Sequence, residues 1–92
     1  MQVWIVDAFA DKVFNGNPAA VILVDEFPVF MQEIAAEINM SETAFVKRLS
    51  EKEFHIRWFS PKDEAPICGH ATLASAHVLF KHFSNIDHIV FK

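Results

Sequence analysis

The chain has 92 residues, which allows one domain, and its hydrophobic fraction of 52% is too high for a disordered polymer. Its net charge is −4 with no basic run, and no apolar run approaches the ~20 residues that cross a bilayer, so we expect neither nucleic acid nor a membrane as a partner. One cysteine cannot form an internal disulfide and the first residues lack the layout of a signal peptide, which together predict a cytoplasmic protein.

The first 24 residues predict two neighbouring strands. Residues 1–10 carry apolar side chains on both faces, interrupted by Asp7, so we expect a strand that is covered on both sides. The sequence Asn15-Gly16-Asn17-Pro18 is typical of a turn, because Asn and Gly tolerate positive φ and Pro extends the residue before it. A second, nearly continuous apolar strand then covers Ala19–Val24.

An amphipathic helix follows the second strand. Asp25 is the expected N-cap, and Asn39 is the expected end. Apolar side chains recur between them at helical spacing, at Phe27, Phe30, Met31, Ile34 and Ile38. One face of this helix should therefore pack on a core.

The middle of the chain predicts a β-hairpin. Residues 44–48 form the first strand, and the charged residues 49–53 form a solvated turn. Residues 54–58 alternate between apolar and polar side chains, which is typical of a half-buried strand. A loop with two prolines, 59–66, then leads to Cys68, and Glu64 is expected to hold this loop in place.

A largely apolar helix begins after Cys68-Gly69-His70 and is expected to be buried on most sides and to end at Asn85. Residues 88–92 begin a further strand, whose end looks like a cut through a fold. The order β-β-α-β-β-α-β predicts an α+β fold, a curved mixed sheet wrapped around the second helix. Free N–H groups at the start of that helix, together with its dipole, favour an anion.

Five short motifs occur in an order that is specific when they are taken together. They are Asp7-Ala8-Phe9, Phe14-Asn15-Gly16-Asn17-Pro18-Ala19-Ala20-Val21, Met40-Ser41-Glu42-Thr43-Ala44-Phe45-Val46, Arg57-Trp58-Phe59-Ser60-Pro61 and Cys68-Gly69-His70-Ala71-Thr72-Leu73-Ala74. Together they resemble the amino-terminal half of the PhzF-like isomerases of phenazine biosynthesis, which have the diaminopimelate-epimerase-like fold. The resemblance covers residues 1–92 as a single lobe, the first of two similar lobes that enclose an active site between them.

This resemblance implies an isomerase or epimerase that moves a proton on a small carboxylate-bearing metabolite without a cofactor. Glu42 matches the general acid/base of the family; without the resemblance, it would be interpreted as a solvated residue at a strand entry. His70 matches a histidine that donates to substrate or moves a proton. We expect substrate contacts from the helix start and from two upstream positions, namely Gly69, Ala71, Thr72, Asn17 and Ser41. Asn17 has an equal alternative, which is to shape its turn only.

Cys68 lies where related racemases carry a catalytic cysteine, and a thiol at a helix N-terminus is expected to have a lowered pKa. A buried, inert cysteine is the alternative. The histidines lack the paired spacing of a zinc site, so we expect no metal. We expect a homodimer or higher homo-oligomer. A non-catalytic, apparently truncated lobe that folds by self-association is the second hypothesis for the whole chain.

Overall fold

The computed structural model describes residues 2–6, 18–66 and 68–92. These residues form a six-stranded sheet and two helices. The strands are β1 (Gln2–Val6), β2 (Ala19–Val24), β3 (Glu42–Arg48), β4 (Glu53–Phe59), β5 (Glu64–Ala65) and β6 (Val90–Phe91). The helices are α1 (Met31–Ile38) and α2 (Gly69–His82).

The sheet is mixed, and its strands follow the order β1-β2-β3-β4-β5, with β6 also paired to β4. β1 and β2 are antiparallel, as are β3 and β4, which confirms the predicted hairpin. β2 and β3 are parallel, because α1 carries the chain back across the sheet between them. The α+β fold predicted from the order of elements is confirmed.

The two helices cover opposite faces of the sheet. Successive side chains of a strand point to opposite faces, so each strand contributes to both cores. The core on the α2 face is built on Ala19, Val21, Ala44, Val46, Phe54, Ile56, Ala71, Ala74, Val78 and Leu79. The core on the α1 face is built on Ile22, Val24, Met31, Ala35, Phe45 and Phe59. The small residues of α2 let the helix lie close to β2 and β3.

The first strand is not covered on both sides as predicted. Trp4 and Val6 pack against the α2 core, but Val3 and Ile5 on the other face are 48% and 55% exposed. β1 is an edge strand, and α1 lies over β2, β3 and β4 without reaching it. The run of apolar residues identified the strand, but the position of α1 decided which of its faces is open to solvent.

The first helix is shorter than predicted. It begins at Met31 after Phe30, which makes no side-chain cap, so the prediction of Asp25 as N-cap is wrong. Pro28 disfavours helical dihedrals at the residue before it, which delays the start of the helix. The predicted end is confirmed, since Asn39 adopts the left-handed conformation (φ 58°) and its N–H donates to the carbonyl of Ala35.

The second helix begins at Gly69, two residues before the predicted start at Ala71, and ends at the capping residue Phe83 rather than at Asn85. It is less buried than predicted, because Leu73 and Phe80, seven positions apart on one stripe, are 58% and 41% exposed. Its opposite stripe packs on the sheet, so α2 has one face in the core and one face open to solvent, where Leu73 and Phe80 lie beside His77 and Lys81.

The loop before α2 is held by an ion pair. Glu64 lies in the short strand β5 and accepts two hydrogen bonds from Arg57 of β4, at 2.8 and 2.7 Å. This confirms the expected role of Glu64, although β5 itself was not predicted. The Arg57 guanidinium lowers the pKa of the Glu64 carboxyl through these hydrogen bonds.

The Arg57–Glu64 pair should make stability depend on pH. Because the pKa of Glu64 is lowered on folding, its contribution is present above the usual carboxyl range and lost as pH falls through the folded value. We expect Glu64→Gln to be less stable than the wild type at neutral pH, by less than about 1 kcal/mol for an exposed pair. Urea unfolding over a pH series should show this difference shrink as the pH falls below the usual carboxyl range and vanish once Glu64 is protonated in the folded state. A difference that stays constant into acid would contradict the assignment.

Candidate active site

Glu42 opens β3 and points to the α2 face of the sheet, which it shares with Ala44 and Val46. Its side chain is half-buried. The Oε1 atom is inaccessible to solvent and accepts no hydrogen bond within the described parts of the chain. Burying a carboxylate oxygen without a hydrogen-bond donor costs free energy, so this position is typical of a group that binds a proton or a ligand.

Cys68 caps the N-terminus of α2. Its backbone is extended, and its Sγ accepts a hydrogen bond from the Ala71 N–H at 3.4 Å. Burial raises the pKa of the thiol, and hydrogen bonding to Glu42 and the charge of Glu42 raise it further. The backbone N–H groups of Ala71 and His70 oppose this rise without cancelling it. The expectation of a lowered pKa is therefore wrong, because desolvation and the neighbouring carboxylate outweigh the helix start.

Gly69 is the first residue of α2 and is exposed. A Cβ placed on it would meet no atom within 4 Å. The backbone here faces open space, which a ligand could enter from solvent. Packing among the described residues therefore does not explain why this position is a glycine.

Two of the backbone N–H groups predicted to hold an anion already have acceptors. The Ala71 N–H bonds to Cys68 Sγ, and the Thr72 N–H donates to the Cys68 carbonyl at 3.0 Å. These bonds belong to the capping of the helix. Of the three predicted contacts at the helix start, Gly69, Ala71 and Thr72, Gly69 is the one that faces open space.

Trp58 is a structural neighbour of the site that the motif comparison did not single out. Its Nε1–H donates to Thr72 Oγ1 at 2.9 Å, and the Thr72 hydroxyl donates in turn to the Cys68 carbonyl at 2.8 Å. This chain of bonds fastens the start of α2 to β4. The sequence could have indicated this bond through Trp58 itself, since an indole on the core face of a strand needs an acceptor for its N–H.

Replacing Thr72 with Val should destabilise the fold by about 1–2 kcal/mol, because it removes both bonds and leaves the half-buried Trp58 N–H without an acceptor. Thr72→Ser keeps the hydroxyl and serves as the matched control. Urea unfolding followed by tryptophan fluorescence measures both variants. Equal midpoints for Val and Ser would show that the hydroxyl is dispensable.

The other predicted site residues are placed as follows. Ser41 is exposed and directly precedes Glu42, and His70 is half-buried in the first turn of α2. Asn17, and Asp7 of the predicted first strand, lie outside the described residues. The structure thus brings the start of β3 to the start of α2, where the charge of Glu42 raises the pKa of the Cys68 thiol.

Other features of the described residues lie away from this corner. A cavity of about 510 Å³ lies between β1 and the second half of α2, lined by Trp4, Val6, His77, Lys81 and His82 among others, and none of the predicted site residues lines it. Within residues 2–6, 18–66 and 68–92, no three His, Cys, Asp or Glu side chains converge as metal ligands do. Neither described helix has the length and apolar character needed to span a membrane.

The sheet is mixed and packs on α2, and a carboxylate at the start of β3 faces the start of that helix. This arrangement defines a lobe of the epimerase-like class. A family model described as phenazine biosynthesis-like protein matches residues 6–91. The chain belongs to this family, which confirms the resemblance seen in its motifs.

Individual relatives agree with this assignment. The chain is 46% identical to a phenazine biosynthesis-like domain-containing protein of Bos taurus, over 94% of the chain and 33% of the relative. It is 45% identical to an uncharacterised isomerase of Halalkalibacterium halodurans, over 95% of the chain and 32% of that protein. The crystal structure of a phenazine biosynthesis PhzC/PhzF protein from Clostridium difficile matches with a TM-score of 0.84 and 47% identity, over 97% of this chain and 35% of that one. The chain thus spans about a third of the length of these relatives.

Proposed function

We propose that this lobe contributes the acid/base half of an active site that isomerises or epimerises a small carboxylate-bearing metabolite by proton transfer, without a cofactor. Membership of the family and its similarity to an uncharacterised isomerase support the reaction class. The observation that carries the proposal is the Oε1 atom of Glu42 at the start of β3, which is buried and has no hydrogen-bond donor among the described residues. The single cysteine, which avoids any need for an oxidising compartment, supports a cytoplasmic location.

Glu42 is the proton carrier in this proposal. A carboxylate can take a proton from carbon next to an unsaturated or carbonyl group and return it to another carbon or to the other face. Its position on the α2 face keeps it at a fixed distance from the helix start, because β3 is paired on both sides. Substrate then needs to be held only at its carboxylate to present one carbon to Glu42.

The start of α2 holds the substrate carboxylate in this proposal. The open backbone at Gly69 and the positive end of the helix dipole favour an anion there. His70, in the same turn, contributes a polar contact or moves a proton. Asn17 and Ser41 remain proposed substrate contacts.

Solvent deuterium incorporation tests the proposed reaction. The complete gene product is incubated in D₂O with small carboxylates that carry a proton next to an unsaturated or carbonyl group, and exchange is followed by NMR. We expect deuterium at the carbon that gains or loses the proton, with no added metal or nucleotide. Failure of every such substrate class to exchange would overturn the reaction type.

A second candidate function is favoured by the open apolar side chains, namely that this lobe self-associates without catalysis. Leu73 and Phe80 on α2 are 58% and 41% exposed, and Val3 and Ile5 on the opposite face of the sheet are 48% and 55% exposed. Apolar surface of this kind is typical of an interface. A second copy of the chain is the proposed occupant.

We expect the wild-type chain to form a dimer or larger oligomer that Leu73→Glu converts to monomer, because a carboxylate would be desolvated in the interface. Val29→Glu is the matched control, since Val29 is 96% exposed beside α1, on the opposite side of the sheet from Leu73 and Phe80. Sedimentation velocity measures all three. A monomeric wild type, or equal effects of the two substitutions, would contradict self-association through α2.

A further inference from the structure

We propose that the cavity between β1 and the second half of α2 is a binding site for a small organic anion, which places a flat ring against Trp4 and its negative group beside Lys81. The volume of the cavity is about 510 Å³. Ligand pockets in proteins usually measure about 300–1,000 Å³, so one or two fused rings with an acidic substituent fit this space. The site is separate from the proposed reaction, because Glu42 and the start of α2 do not line the cavity.

Two elements of the fold build the walls of the cavity. β1 contributes Trp4 and Val6, which point to the α2 face of the sheet. Residues four apart on a helix lie on the same side, so α2 contributes one stripe of its surface. This stripe consists of His77, Val78, Lys81 and His82. Val78 is 4% exposed, whereas the polar members of the stripe are exposed, so the cavity has a buried apolar wall and an opening to solvent.

Trp4 offers a ligand ring a surface that is already held in position. Its ring meets the His82 imidazole edge-on, with centroids 5.4 Å apart and planes at 70°. The same imidazole meets Phe83 edge-on at 4.7 Å. Because Trp4 is half-buried and these contacts restrict it, packing a ligand ring on the indole costs little side-chain entropy. Aromatic pairs also contribute more than their buried area alone, so a ligand with a flat ring is favoured.

Lys81 offers the negative group of a ligand a positive partner. Three other lysines of the described chain lie within 3.3 Å of a carboxylate oxygen, whereas no carboxylate pairs with Lys81 among residues 2–6, 18–66 and 68–92. No described Asp or Glu lines the cavity, and His77 and His82 add ring N–H groups that can donate. The cavity therefore favours an anion, although the net charge of the chain is −4.

Two tryptophans distinguish this cavity from the proposed active site. Trp4 lines the cavity, and Trp58 donates its indole N–H to Thr72 at the start of α2. At about 1.5 Å per residue, residues 77–82 lie about 12–20 Å along the helix from Gly69. The two indole N–H signals in an NMR spectrum therefore report on ligand binding at separate ends of α2.

Titration of the complete gene product with naphthalene-2-carboxylate tests the site. The indole signals are assigned from Trp4→Phe and Trp58→Phe. We expect a saturable shift of the Trp4 signal with a Kd of about 1 mM or below, the range for a ligand with few heavy atoms. The neutral analogue naphthalene-2-carboxamide should bind about fivefold more weakly, since it lacks the charge that Lys81 attracts. Added salt should weaken binding of the carboxylate, because it screens this attraction.

Lys81→Gln should raise this Kd about fivefold. Lys62→Gln is the matched control, because Lys62 is exposed in the loop after β4 and does not line the cavity. A Trp4 signal that does not shift, including a response confined to Trp58, overturns the proposal. Equal binding of the carboxylate and the carboxamide, or a Kd unchanged by Lys81→Gln, overturns it as well. A Trp4 signal that moves with protein concentration alone would show that a second copy occupies the cavity, which also contradicts the proposal.

Discussion

Glu42→Gln is expected to lower turnover by about 10²- to 10⁴-fold, the usual contribution of one positioned acid or base. The amide has nearly the shape of the carboxylate but cannot accept the substrate proton at neutral pH. The loss should fall on kcat, because substrate is held by its carboxylate at the start of α2 rather than by Glu42. Deuterium incorporation by the complete gene product measures the effect.

The control for this substitution is Glu33→Gln, which makes the same change on the exposed side of α1. It should leave turnover unchanged. Circular dichroism of both variants establishes that the sheet and helices are retained. Turnover by Glu42→Gln at the wild-type rate would remove Glu42 from the chemistry.

Phe45→Ala is expected to cost about 3–5 kcal/mol of unfolding free energy, because it leaves a cavity in a closed core. Phe45 is fully buried at the centre of β3, and its ring meets Phe59 edge-on with centroids 5.5 Å apart. A domain of this size has a total stability of about 5–15 kcal/mol, so the variant should be near its unfolding limit at 37 °C. Because β3 carries Glu42, activity should fall with the folded fraction.

Phe30→Ala is the matched control, since Phe30 is 53% exposed at the start of α1. It should cost less than about 1 kcal/mol, as surface substitutions usually do. Urea unfolding followed by circular dichroism compares the two. Similar losses for Phe45 and Phe30 would mean that burial in this sheet does not set stability.

The elements with strong local signals were predicted well. β2 has the predicted bounds, and β3 and β4 form the predicted hairpin, extended by one or two residues. Asn39 ends α1 as expected, because an asparagine tolerates the left-handed conformation there. In each case the periodicity of apolar side chains, or one residue with a special backbone preference, determines the result locally.

The elements that depend on partners were predicted poorly. Residues Glu64–Ala65 form a strand only because β4 offers them a free edge, and no periodicity can exist in two residues. The start of α1 and the open face of β1 likewise depend on where α1 lies over the sheet. Burial depends on how the layers pack, so the sequence of a strand with two apolar faces does not predict which face is covered.

The candidate site divides in the same way. The family follows from the sequence alone, through five motifs in order, and the start of α2 is predicted to within two residues. The effect of Glu42 on the pKa of the Cys68 thiol, and the bond from Trp58 to Thr72 that fastens the helix start, exist only in the folded chain. They join residues that are 26 and 14 positions apart in the chain, each pair linking a strand of the sheet to the start of α2, so no local pattern can predict them. The raised pKa of the thiol follows from that approach, since desolvation and a neighbouring charge exist only after the strands and the helix have packed.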